Sequence, residues 1–258
     1  MPAKAQGKTQ KQRARAPKKS KTTNALNVAF VIDMSGSMGR IRDAAVEGAN
    51  TYIKELQDDE GAETTRLTFV AFDNLYEVWH KDEPIKNVPY IGEEYQPRGG
   101  TALYDAIGKT IAEMDAVGRK DEKHLVVILT DGFENASVEY PTGEVGRKML
   151  ADVIEAYEKR GNWTFVYLGA NDYDVKTTAA ALNIPAGNAA YYSASPSSVK
   201  GATAAVASAT ITRKYDAGAS TLDFYEDASL TSDFRDETDS SKSAIWTPDQ
   251  DKKGKDKK

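Results

Sequence analysis

The sequence predicts an α/β protein with a doubly wound, mostly parallel central sheet, one antiparallel edge strand and helices on both faces. Three observations carry this reading. Short, continuously apolar runs of strand length alternate with segments whose apolar residues recur at helical spacing. One pair of strand-like runs is joined only by Asp73-Asn74, the chemistry of a tight turn, so that pair is read as antiparallel. Repeated alternation of strand and helix requires right-handed crossovers that cover both faces of a sheet.

The elements follow in order. Leu26 to Ile32 is an apolar run interrupted only by Asn27, as a strand buried on both faces requires. Ile41, Ala45, Ala49, Tyr52 and Leu56 then mark a helix over roughly 40–58. Arg66 to Phe72 reads as the second strand and Leu75 to His80 as its hairpin partner. Residues 81–100 read as irregular, with Pro84, Pro89, Pro97 and the pair Gly99-Gly100. Leu103, Ile107, Ile111 and Met114 place a helix at about 101–117, and Leu125 to Leu129 form a very apolar strand. Val145, Met149, Val153 and Ala156 mark a helix that Gly161-Asn162 ends. Trp163 to Leu168 is the next strand. A short helix capped by Asp172 or Asp174 runs to about Leu182, and a weak strand follows at Ala189 to Ser193. The last helix spans Pro196 to Lys214, with Pro196 suited to a first turn.

Composition bounds the chemistry. The 258 residues contain no cysteine, which excludes thiolate metal sites, and only two histidines, His80 and His124, which argues against a multi-histidine site. The histidines read as packing or surface residues. A hard divalent cation held by oxygen remains open. Residues 1–21 carry eight basic side chains and no acid, on an otherwise acidic chain. The expected organisation is a basic, disordered arm over 1–24, a domain over 25–214, and an acidic, polar and largely disordered tail over 215–258. No secretory signal is read at the N-terminus, and no apolar run approaches the ~18 residues a membrane span needs. A cytoplasmic protein without a membrane partner is the expectation.

The informative motif follows the first strand. Asp33-Met34-Ser35-Gly36-Ser37 presents three small oxygen-bearing side chains at alternate positions on the loop leaving a buried strand. Thr101 follows Gly99-Gly100, and Asp131 lies in Leu-Thr-Asp-Gly after the strand 125–129. In a doubly wound sheet these strand ends can be neighbours at the point where strand order reverses. Two carboxylates neutralise a 2+ ion, and three hydroxyls complete an oxygen shell without adding charge. Magnesium, manganese and calcium all suit such a set.

With these residues in place, the chain resembles a von Willebrand factor type A domain with a complete metal-ion-dependent adhesion site, over about residues 25–214. The family pattern D-x-S-x-S, then Thr, then Asp is matched by Asp33, Ser35, Ser37, Thr101 and Asp131. The resemblance implies direct ligation by Ser35, Ser37 and Thr101, with Asp33 and Asp131 often acting through water. It also implies a partner Asp or Glu carboxylate at the open position, and no enzymatic activity. An intracellular scaffold or regulator of bacterial or phage origin is the setting it suggests. Asn74, Glu134, Asn135, Asn171, Asp172 and Tyr173 are expected on the rim facing a protein partner. Two other readings stand beside this one. The basic arm 1–21 suits nucleic acid or an acidic surface, although no aromatic residues interleave with its charges for base stacking. A metal-dependent hydrolase lacks support, because no phosphate-binding G-x-x-x-x-G-K-[ST] motif or Ser-His-Asp set is present.

Overall fold

The computed structural model describes residues 24–119, 121–170, 172–193, 195–216 and 221–225. The basic arm and the tail beyond residue 225 lie outside the described residues. Six strands form one sheet in the order β3-β2-β1-β4-β5-β6. They are β1 (Leu26–Asp33), β2 (Thr65–Phe72), β3 (Tyr76–Pro84), β4 (Lys123–Thr130), β5 (Trp163–Gly169) and β6 (Ala189–Tyr191). Every adjacent pair is parallel except β2 with β3. Every residue of β1 and β2 is buried, as central strands covered on both faces require, the polar Asn27, Asp33, Thr65, Arg66 and Thr68 included.

Two apolar layers flank the sheet. Even-numbered β1 residues Val28, Phe30 and Ile32 pack under helices α1 (Arg42–Asp58) and α5 (Pro196–Tyr215). Odd-numbered Ala29 and Val31 pack under α2 (Leu103–Val117), α3 (Glu144–Glu158) and α4 (Asp172–Ala181). The period of two along a strand divides the core between the faces.

The structure departs from the sequence reading in four places. A 3-10 turn, Gly36–Ile41, precedes α1, so the first helix proper begins at Arg42. Thr101 precedes α2 instead of opening it, because its N–H is taken by Asn135 Oδ1 and that of Ala102 by the Asp73 carbonyl. β3 runs on to Pro84, with register shifts opposite Phe69 and a positive φ at Asp82; proline is tolerated there because β3 is an edge strand. The folded body also extends past residue 214. Phe224 and Tyr225 are buried against the α1/α5 layer. Asn188 pairs with both Thr221 and Phe224.

The C-terminal end of α5 is fastened by charge. Lys214 is 1% exposed, and its ammonium donates to Asp59 Oδ2 at 3.0 Å, to Thr65 Oγ1 at 2.8 Å and to the Gly61 carbonyl. Lys214→Ala strands the buried Asp59 carboxylate without its cation, and should cost about 3–5 kcal/mol in urea unfolding. A loss below 1 kcal/mol would show that the pin contributes little.

Candidate functional site

The strand order reverses beside β1, which has β2 on one side and β4 on the other. At the carboxyl edge of this pair Asp33 closes β1, and Asp131 follows the last residue of β4. Three loops meet there and are stapled by backbone bonds. Gly36 N–H donates to the Gly99 carbonyl and Arg98 N–H to that of Met34, at 3.2 and 2.8 Å. Asn135 and Ala136 N–H both donate to the Thr101 carbonyl, at 3.0 and 3.2 Å. Gly99 has φ +65°, and a side chain there would collide with Asn74. Glycine lets the Thr101 loop run against its neighbour.

The five oxygen-bearing residues converge. Ser35 Oγ lies 3.1 Å from Ser37 Oγ, and the Ser37 hydroxyl donates to Asp131 Oδ1 at 2.5 Å. A Cβ built on Gly132 would sit 3.3 Å from Thr101 Oγ1, 3.5 Å from Ser37 Oγ and 3.8 Å from Asp33 Oδ2. Side chains from two segments therefore point at one small space beside Gly132 on a third, which a residue larger than glycine at 132 would begin to fill. Among the described residues no group of three or more His, Asp or Glu side chains is placed to hold a metal. The donors here are two carboxylates and three hydroxyls, an all-oxygen set that suits a hard divalent cation.

Asp33 is fully buried. Its Oδ1 accepts from Ser35 N–H at 2.7 Å and its Oδ2 from the Thr130 hydroxyl at 2.5 Å. Burial pushes its carboxyl up to about 6, against the lowering effect of these bonds. Two buried phenols brace the strand ends. Tyr95 donates to the Asp33 carbonyl at 2.6 Å, and Tyr192 to the Thr130 carbonyl at 3.0 Å. Burial, with Asp33 and Asp131 nearby, holds both phenols well above their ordinary range. Neither phenol nor Thr130 stands in the five-residue pattern. Thr130 adjoins Asp131 in the motif, but the tyrosines carry no local signal.

The rim residues are placed as follows. Asn74 Oδ1 accepts from Gly100 N–H at 2.6 Å, and Asn135 Oδ1 from Thr101 N–H at 2.9 Å. Glu134 turns inward to accept from Tyr104, Ala136 and Ser137 N–H and from the Ser137 hydroxyl. These three side chains hold the Thr101 loop and the start of α2. Asn171 lies outside the described residues, as do the side chains of Asp172 and Tyr173. Asp73, read from the sequence with Asn74 as a tight-turn residue, accepts from Leu75 N–H and pairs with Arg98 at 2.7 Å. His124 opens β4 at the far end of the strand and stacks on Trp163, 4.3 Å between ring centroids.

This fold and site define a class. Residues 27–203 match the model of the von Willebrand factor type A domain, and the chain belongs to that family. No curated protein matches the sequence at a significant level. Among solved structures, the PilB minor pilin from Streptococcus sanguinis is similar in fold, with 12% identity and a TM-score of 0.57. That match covers 76% of this chain and 63% of the pilin. The SpaC pilus adhesin from Lactobacillus rhamnosus GG, in its open conformation, is similar at 13% identity and TM-score 0.54, covering 73% of this chain and 30% of the adhesin. The chain thus spans under two thirds of either protein. At these identities the likeness is one of fold.

The buried Asp33 generates a prediction with a definite sign. Its folded-state value of about 6 lies above the ordinary 3.8, so its ionisation subtracts stability above pH 6, and that loss disappears below pH 4. In chelator at pH 8, Asp33→Asn should be more stable than wild type, by up to about 3 kcal/mol, with the gap closing as pH falls to 4. Thermal melts across this range provide the check. A variant less stable than wild type at pH 8 would contradict the assignment.

Proposed function

We propose that the chain is a non-enzymatic, divalent-cation-dependent protein-binding module that captures an Asp or Glu carboxylate of a partner protein. The observation that carries this is the convergence of Thr101, Ser37 and Asp33 oxygens on the space beside Gly132, with Asp131 and Ser35 completing the set. Ser35, Ser37 and Thr101 would hold the cation through their hydroxyls, and Asp33 and Asp131 would balance its charge, directly or through water. Magnesium is the proposed ion, with manganese as an acceptable replacement and calcium a poorer one. When bound, the cation supplies a positive centre that favours an anionic oxygen from outside the chain.

The protein's own groups do the remaining work. Thr130 and the Ser35 N–H orient the Asp33 carboxylate. The Tyr95 and Tyr192 hydroxyls keep the two strand ends in register. Asn135 and Asn74 fix the backbone that presents Thr101. No imidazole stands at this edge to serve as a base, which supports capture over turnover. Among the described residues no helix is long and apolar enough to cross a membrane. We propose that the binding event takes place in the cytoplasm, where a cysteine-free chain folds without disulfides.

Saturating magnesium should raise the thermal midpoint of wild type, corresponding to about 2.7 kcal/mol at a hundredfold excess over Kd. Chelator should reverse the rise, and Thr101→Ala and Ser37→Ala should reduce it sharply while folding normally. A wild-type midpoint indifferent to magnesium, manganese and chelator would overturn the proposal.

A further inference from the structure

We infer that Arg40 is a built-in cation that competes with the metal for Asp131 and thereby sets the affinity of the site. This rests on the proposed metal-binding reading and goes beyond it, because Arg40 is not among the five candidate ligands. The 3-10 turn Gly36–Ile41 carries both Ser37 and Arg40, and it occupies both oxygens of the Asp131 carboxylate. The Ser37 hydroxyl donates to Oδ1 at 2.5 Å, and Arg40 Nη2 lies 3.5 Å from Oδ2. The side chain of Asp131 is 3% exposed, whereas that of Arg40 is 75% exposed. The guanidinium therefore lies over a carboxylate that has little contact with solvent.

The two contacts differ in what happens when a divalent cation arrives. Ser37 can turn its hydroxyl lone pairs to the ion and keep its place, since it is itself a candidate ligand. Arg40 has no lone pair to offer and repels positive charge. It must withdraw from Asp131 or remain as an unfavourable neighbour. Its exposure makes withdrawal easy, because the freed guanidinium is already hydrated. The metal-free site, with two carboxylates and one guanidinium, is thus partly neutralised from within. Part of the attraction for an incoming ion is spent in separating an existing pair.

The test is calorimetric titration of magnesium into the full chain, comparing wild type with Arg40→Gln and Arg40→Lys at constant ionic strength. Removing the charge should tighten magnesium binding roughly fivefold, the scale expected of a half-exposed ion pair. Arg40→Lys keeps the charge and should bind within about twofold of wild type on the same scale. Unchanged affinity in Arg40→Gln, or weaker binding because Arg40 merely props Asp131 in position, would overturn the inference and leave the metal-binding reading standing. Absence of magnesium binding in wild type and Arg40→Gln alike would overturn both.

Discussion

A carboxylate with no access to solvent, at the end of the strand where sheet order reverses, is the constraint on which the rest of this structure depends. Asp33 is buried between β2 and β4 and accepts one backbone and one hydroxyl hydrogen bond. Two such bonds do not offset its desolvation, and its carboxyl is raised to about 6. A charge kept in so poor an environment needs a reason. The surrounding hydroxyls, which add oxygen without adding charge, point to a positive partner. In the absence of one, the fold carries a standing electrostatic cost of the kind found where function overrides stability.

The remaining geometry serves that position. The Met34–Gly36 loop is tied to Arg98 and Gly99, and the Thr101 loop to Asn135 and Ala136. Side-chain amides of Asn74 and Asn135 seal the same junctions. Ser35, Ser37 and Thr101 therefore stand on backbones that cannot drift independently, as a cation with strict geometric demands requires. The opposite edge of the sheet has another task. There the buried Lys214–Asp59 pair and the packed Phe224 and Tyr225 fasten the last helix and the chain beyond it. The candidate site and the mechanical anchorage are thus separated by the length of a strand.

The convergence of the candidate site's residues was legible because an oxygen shell of the proposed kind demands particular residues at particular spacings. Asp33, Ser35 and Ser37 declare themselves by alternating oxygens after a strand buried on both faces, and Thr101 and Asp131 occupy comparable positions on two other loops. The mostly parallel sheet with one antiparallel edge strand was legible for a related reason: β1, β4 and β5 are runs apolar enough to need cover on both faces. What stayed hidden depends on contacts distant in sequence. Tyr95 and Tyr192 lie 62 positions from the carbonyls they brace, and nothing near them reports that pairing. β3 was read too short because its half-buried, charge-rich edge lacks the apolar run of its neighbours. The 3-10 turn before α1 was invisible because its buried Met38 and Ile41 suit a helical phase equally well. Phe224 and Tyr225 are two aromatics at the start of an acidic segment, with no periodicity to announce that they rejoin the core.

The most direct test of the account is a crystal structure grown with manganese and examined by anomalous scattering. A single strong peak beside Gly132, within bonding distance of the Ser35, Ser37 and Thr101 hydroxyls, is the predicted result. Density for an ion elsewhere, or the five side chains apart with no peak between them at saturating manganese, would contradict it.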